Sequence, residues 1–153
     1  NTNSKSFNFL FDLIFQLKKV KDFEFVFIEG EARKVGSAEI PKRLWEQMNN
    51  SKIIFLDVSL ENRSKHFAEE YPSMKKHMME YVESTNSLKK LISNDMREKL
   101  VKFITLNKPF EFWKLILKDY YDPRYEHAFK LLTFEETIDG NDFDKTLDVL
   151  KSL

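Results

Sequence analysis

The feature that most constrains the fold of this chain is a short apolar run, Glu24 to Ile28, that passes straight into a charged, glycine-punctuated stretch, Glu29-Gly-Glu-Ala-Arg-Lys-Val-Gly36. Aromatic and β-branched residues packed into so few positions predict a strand buried on both faces. Ligands of open α/β sheets bind beyond the carboxyl ends of strands, so Glu29, Glu31 and Arg33 become candidates for work on a water, a metal or a phosphate. The alternative is a strand-end loop carrying solvated charges and one ion pair. Gly36, then Ile40-Pro41, then the amphipathic run Arg43 to Met48 complete an order of strand, shaped loop and helix, which favours the first reading.

The pattern repeats. Lys52 to Val58 predicts a second buried strand, and Ser59 can cap a helix from Glu61 to Tyr71. Upstream, Ser6 to Val20 is dense enough in apolar residues for a helix packed on a sheet, with Ser6 as its cap. Pro41 suits the first turn of a helix ending at about Asn49. Helix, strand, helix, strand, helix is the grammar of a parallel sheet with right-handed crossovers. From 73 to 121 only helices are expected, which reads as a helical insertion or lid. A β-like run from Lys130 to Thr137, a turn at Asp139-Gly-Asn and a closing helix from Phe143 to Leu150 return the chain to the sheet. The expectation is one α/β domain over 1–153.

At 153 residues with no net charge, the sequence has apolar content for a core and gives no global support for a nucleic-acid partner, although a local basic patch is compatible with it. The absence of cysteine removes disulfides, thiolate zinc sites and cysteine nucleophiles within these residues. His66, His77 and His127 are scattered without metal-ligand spacing, so no metal is expected. No apolar run approaches the roughly 20 residues of a membrane span, and a cytoplasmic location is the expectation. The chain opens Asn1-Thr-Asn-Ser without methionine, which leads us to expect a piece of a longer product.

Two further features could carry chemistry, Arg63 and the Tyr120–Tyr125 cluster. No Gly-x-x-x-x-Gly-Lys-Ser/Thr phosphate cradle occurs. Arg63, just beyond the second strand, could reach phosphate oxygens with its bidentate fork, or could be a solvated helix arginine paired with Asp57 or Glu61. Tyr120-Tyr-Asp-Pro-Arg-Tyr125 surrounds an Asp-Pro turn with aromatics, so that Arg124 could bind an anion or stack on a base, or the cluster could be a packed corner. The pairs Lys75-Lys76 and Lys89-Lys90 are ordinarily solvated helix faces.

In their order along the chain these segments resemble the carboxyl-terminal P-loop domain of tRNA 2-selenouridine synthase. Ser4 to Phe9 is similar to a Gln-x-x-Phe-Glu-x-x-Leu helix start. Phe27-Ile-Glu-Gly-Glu-Ala-Arg-Lys-Val-Gly36 is similar to the family's Glu-x-Glu-Ser-Arg-x-Ile-Gly, with Ala32 where serine is usual, which removes a hydroxyl contact. Ile40 to Trp45, Glu61-Asn-Arg63 with Glu70-Tyr71, and Tyr121-Asp-Pro-Arg-Tyr125 come next in sequence. The resemblance implies a three-layer P-loop NTPase-like parallel sheet, incomplete at its amino-terminal end. The phosphate-binding loop and a rhodanese-like domain with a reactive cysteine are expected upstream.

It further implies a transferase that replaces sulfur by selenium in wobble 2-thiouridine of tRNA, through a geranylated intermediate, with geranyl diphosphate and selenophosphate as substrates. No cofactor is implied within these residues. The partners implied are tRNA and a selenophosphate-supplying enzyme, with no membrane. On this resemblance Glu29, Glu31 and Arg33 are expected to be catalytic. Arg33, Gly36 and Arg63 would bind substrate or phosphate, and Arg124 and Tyr125 would bind tRNA. The isolated piece is expected to be inactive. The alternatives are a piece of a small P-loop kinase or nucleotide hydrolase, and a non-enzymatic module that binds tRNA or protein.

Overall fold

The structure is a computed structural model that describes all residues except Asn1, Glu31, Ala32, Gly36, Ser37, Pro72 and Leu153; of residues 2–8, 10, 35 and 128 it describes the backbone only. It divides into two compact units, Asn1–Lys52 and Ile53–Leu153.

In the first unit, α1 (Thr2–Lys19) begins earlier than a Ser6 cap would place it. Phe11, Ile14 and Phe15 on this helix are 63, 54 and 58% exposed, so the dense apolar pattern makes the helix without burying these residues. The strand expected at 24–28 does not form: residues 25–30 belong to no regular element, and Phe25 to Ile28 are about half exposed. A strand exists only through hydrogen bonds to a neighbour, and an apolar run cannot supply that neighbour. The charged stretch instead holds an antiparallel pair of two-residue strands, β1 (Lys34–Val35) and β2 (Ala38–Glu39), with Lys34 opposite Glu39. Helix α2 (Lys42–Asn49) comes next, with Pro41 at its N-cap, one position before the expected first turn.

The second unit contains the parallel sheet. β3 (Ile54–Asp57) lies inside the expected run, and β4 (Glu136–Asp139) pairs with it in parallel, Ile54 opposite Glu136 through to Asp57 opposite Asp139. The returning strand was expected over 130–137; it starts later because Lys130 and Leu131 complete the turn after a helix, and the segment 132–134 is irregular. The protein is thus a mixed α/β chain with a small parallel sheet. Helix α3 (Leu60–Glu70) starts where expected, with the Ser59 hydroxyl accepting from the Asn62 amide at 3.2 Å.

Between the strands, α4 (Met78–Ser87), α5 (Asn94–Thr105) and α6 (Pro109–Ile116) pack around Met74, Met96, Leu100, Ile104, Phe112, Ile116 and Tyr120. Leu100 and Ile104 are fully buried, one helical turn apart on the inner face of α5. That helix ends in a left-handed residue, Asn107 at φ 51°, and the Lys108 and Asn107 amides bond back to the Phe103 and Ile104 carbonyls. This reciprocal closure turns the chain sharply into Pro109.

The helical section does not stop at 121. A single π turn (Leu117–Tyr121) continues α6 into α7 (Asp122–Phe129), so Asp122-Pro123 begins a helix rather than a turn. Proline fits a first turn, where its missing N–H is no loss. In a regular helix its ring would crowd the carbonyl four residues back, and the π turn, in which the Asp122 amide reaches Leu117, opens that space. After β4, α8 (Phe143–Ser152) closes the unit, with the Thr146 hydroxyl donating to the Asp139 and Asp142 carbonyls. No helix among the described residues is long and apolar enough to cross a membrane.

Candidate functional site

Parallel pairing puts the carboxyl ends of β3 and β4 side by side, and both strands run on into polar loops. The Gly140 amide continues the ladder to the Asp57 carbonyl at 2.9 Å. A Cβ on Gly140 would meet Val58 Cγ2 at 2.6 Å, so glycine is the residue that lets the two chain segments come this close. Asn141 then spans the gap. Its side-chain oxygen accepts from the Ser59 amide at 2.9 Å and from Asn62 Nδ2 at 3.0 Å. Its own amide and Nδ2 donate to Asp139 Oδ1 at 2.9 and 2.6 Å. These bonds hold the Asp139 carboxyl below the usual aspartate range, the backbone donor having the largest effect.

Arg63, one turn into α3, closes the other side. Its Nη1 and Nη2 donate to Asp122 Oδ1 and Oδ2 at 2.7 and 2.9 Å, and its Nε donates to the Val58 carbonyl at 3.1 Å. The two side chains are only about a third exposed. Hydrogen bonding to Asp122 raises the Arg63 pKa against the opposing effect of burial. The partner is neither Asp57 nor Glu61. Glu61 instead accepts from Lys114 Nζ on α6 at 2.7 Å, which lowers its pKa and ties the start of α3 to the helical section a second time.

The other expected residues take up separate positions. Arg33 donates from Nε to the Ile40 carbonyl at 3.3 Å, and its Nη2 lies 3.4 Å from Glu39, bracing the β1–β2 pair. Glu29 is exposed in the irregular segment before it. Glu31 and Gly36 lie outside the described residues. The Arg124 guanidinium sits 3.7 Å from the Tyr120 ring centroid and donates to the Tyr120 carbonyl, so it secures the π turn. Tyr125 stands between Tyr121 and Phe129, with ring centroids 6.4 and 5.9 Å away.

Sequence reasoning singled out Arg63 but not the groups around it: Asp122 as its partner, and Asn62, Asp139 and Asn141 as the bridge across the strand ends. Asp122 and Asn62 stood inside motifs already singled out. Asp139-Gly-Asn was read only as a turn. The available signal was its position immediately after the returning strand, where side chains of an α/β sheet converge.

The arrangement offers one guanidinium fixed by two anchors and a rim of amides and a carboxylate at the carboxyl edge of a parallel sheet, a setting suited to orienting an oxyanion-bearing substrate. Residues 2–105 match the model of a family described as the tRNA 2-selenouridine synthase AAA domain. That span is more than half of the chain, and the chain belongs to this family. No curated protein and no solved structure matches it. The matched span includes Arg33, β3 and Arg63, and ends before Asp122, Arg124, Tyr125 and β4.

Proposed function

We propose, on the strength of that family match, that the chain is part of a tRNA 2-selenouridine synthase, a tRNA-modifying transferase that acts on wobble 2-thiouridine. In the reaction proposed, the sulfur is first alkylated by geranyl diphosphate with release of diphosphate. Selenophosphate then supplies selenium to C2 as the C2–S bond breaks and the sulfur leaves with its geranyl group; hydrolysis of the Se–P bond releases phosphate. Alkylation makes sulfur a better leaving group, which is the chemical reason for two steps.

The observation that carries this reading is the match over 2–105. It is supported by an arginine held firmly at the carboxyl edge of the parallel sheet, since both small substrates present phosphate oxygens that a fixed guanidinium can orient. Arg33 and Arg63 are the proposed phosphate-facing cations, with Glu29, Glu31 and Gly36 beside Arg33 in sequence. Val58 and Asp122 engage Nε, Nη1 and Nη2 of Arg63, and the second N–H on each Nη is the group proposed to meet substrate. Arg124 holds the π turn beside Tyr125 on the proposed tRNA side. In the complete protein these elements would belong to a three-layer P-loop sheet, served by an enzyme that supplies selenophosphate.

The test is to incubate the complete gene product with 2-thiouridine-containing tRNA, geranyl diphosphate and selenophosphate, then to digest the tRNA and weigh its nucleosides. Geranylated 2-thiouridine with the first substrate alone, and 2-selenouridine with both, is the expected result. Unchanged 2-thiouridine under both conditions rejects the reading, and nucleotide hydrolysis without tRNA would move the protein to the kinase and hydrolase class.

A further inference from the structure

We propose that Asp57, the last residue of β3, is the proton acceptor for the water that cleaves the Se–P bond. The assignment rests on the transferase reading above for the reaction, and on the geometry of the strand ends for the residue.

The carboxyl edge of the sheet carries several acids, and those around Asp57 are already taken. Asp122 holds the Arg63 fork, and Glu61 accepts from Lys114 Nζ. Asp139 accepts from the amide and Nδ2 of Asn141, and Asp142 meets Lys145 Nζ at 3.2 Å. Asp57 differs from all of these. It is exposed, and its carboxylate makes no hydrogen bond or ion pair with a described residue. The nearest cation along the chain, Arg63, is bound to Asp122 instead, which leaves both Asp57 oxygens open to water.

The backbone beneath that carboxylate is fixed. Asp57 lies opposite Asp139 in the parallel ladder, and its carbonyl accepts from the Gly140 amide at 2.9 Å. Successive side chains of a strand alternate between faces, so Asp57 projects away from the face of Leu56. The next residue, Val58, gives its carbonyl to Arg63 Nε. The bond to Asp122 is the main cause of the raised Arg63 pKa, and the Asp57 charge adds to it, so the free carboxylate and the guanidinium are within electrostatic reach of each other. A phosphoryl group met by the remaining N–H groups of Arg63 would therefore have an uncommitted carboxylate beside it, carried on a strand rather than on a loop.

The step needs water and no other reactant. Its intermediate holds selenium between C2 of the uracil ring and phosphorus. As the water oxygen bonds to phosphorus, Asp57 takes one of the water protons. The Se–P bond breaks with its electron pair going to selenium, and the proton passes from Asp57 to N3 of the ring. The products are 2-selenouridine and hydrogen phosphate, nothing is oxidised or reduced, and the carboxylate is restored. A carboxylate that orients and deprotonates the attacking group is the usual companion of a cation that orients phosphoryl oxygens.

The experiment uses the complete gene product and reads each nucleoside by mass. With geranyl diphosphate alone, Asp57→Asn should form geranylated 2-thiouridine as fast as the unsubstituted protein. Given geranylated tRNA and selenophosphate, it should form 2-selenouridine roughly 100-fold more slowly in a single turnover, and the selenium- and phosphorus-bearing nucleoside should accumulate. Asp57→Glu, which restores a carboxylate, should recover part of the rate. Because the side chain bonds to no described residue, both variants should keep the melting temperature of the unsubstituted protein. The proposal is overturned if Asp57→Asn forms 2-selenouridine at the unsubstituted rate, if it slows both steps equally, if Asp57→Glu is as slow as Asp57→Asn, or if the melting temperature falls with the rate. Should the unsubstituted protein form neither nucleoside, the transferase reading itself is rejected, and this step with it.

Discussion

Arg63 and Asp122 face each other across 59 positions of sequence and meet through two parallel hydrogen bonds of 2.7 and 2.9 Å. One residue belongs to the first turn of the helix after β3, the other is the first residue of the helix beyond the π turn. Because the arginine also bonds the Val58 carbonyl, a single guanidinium joins the end of a strand to the far side of the helical section.

Replacing Arg63 by lysine removes the fork and leaves one point charge. The pair is partly buried, so Arg63→Lys is expected to cost about 1–2 kcal/mol in urea unfolding. A double-mutant cycle with Asp122→Asn should return a coupling of about 1 kcal/mol. Additive losses would mean that the two residues stabilise the protein independently.

Arg33 is tied to its own hairpin, and its side chain is 44% exposed. Arg33→Lys in the complete protein should therefore leave the melting temperature nearly unchanged while abolishing most selenium incorporation, because lysine cannot bind phosphate with two parallel bonds. Near-normal turnover would remove Arg33 from the proposed site.

The acid limb of stability is expected to depend on Asp139. Its folded pKa is depressed, chiefly by the Asn141 amide. Its contribution is therefore full above the unfolded aspartate value of about 3.9 and is lost as pH falls through the lower folded value. Asp142 and Glu61 are shifted in the same direction. Asp139→Asn should make the loss of stability below about pH 4 less steep without abolishing it, as read from thermal unfolding at a series of pH values.

Gly140→Ala would place a methyl 2.6 Å from Val58 Cγ2. Valine is stiff about χ1, so the clash is not relieved by rotation, and a loss of about 1–3 kcal/mol is expected. Val58→Ala in the same chain should recover a substantial part of it. No recovery in urea unfolding would place the strain in the backbone.

Leu100 is fully buried whereas Leu106, just beyond the same helix, is 55% exposed. Leu100→Ala should cost about 2–5 kcal/mol and Leu106→Ala less than about 0.5 kcal/mol. Equal effects in denaturant titration would contradict a core centred on α5.

Features written in a few neighbouring residues were legible in the sequence. The Ser59 cap, the run that becomes β3, and the parallel return after a helical section all come from local pattern and the crossover rule. What was not legible depends on distant partners. Glu24 to Ile28 has the composition of a buried strand, yet composition does not hydrogen-bond a neighbour, and residues 25–30 stay unpaired. Arg63 was assigned the nearest acids in sequence; its partner is on another helix. Asp122-Pro123 carries the same residues whether it makes a turn or starts a helix, and only the preceding π turn distinguishes the two.

The pairing of β3 with β4 also has a consequence in time. Ser59 and Asn141, which bridge the strand ends, are 82 positions apart. During synthesis β3 is complete long before its partner exists, while α4, α5 and α6 can close on contacts near to one another in sequence. Local helical contacts form quickly and distant parallel pairings slowly. The helices should therefore assemble first and hold β3 in place, with the sheet and the polar bridge across its end completed only after β4 has emerged.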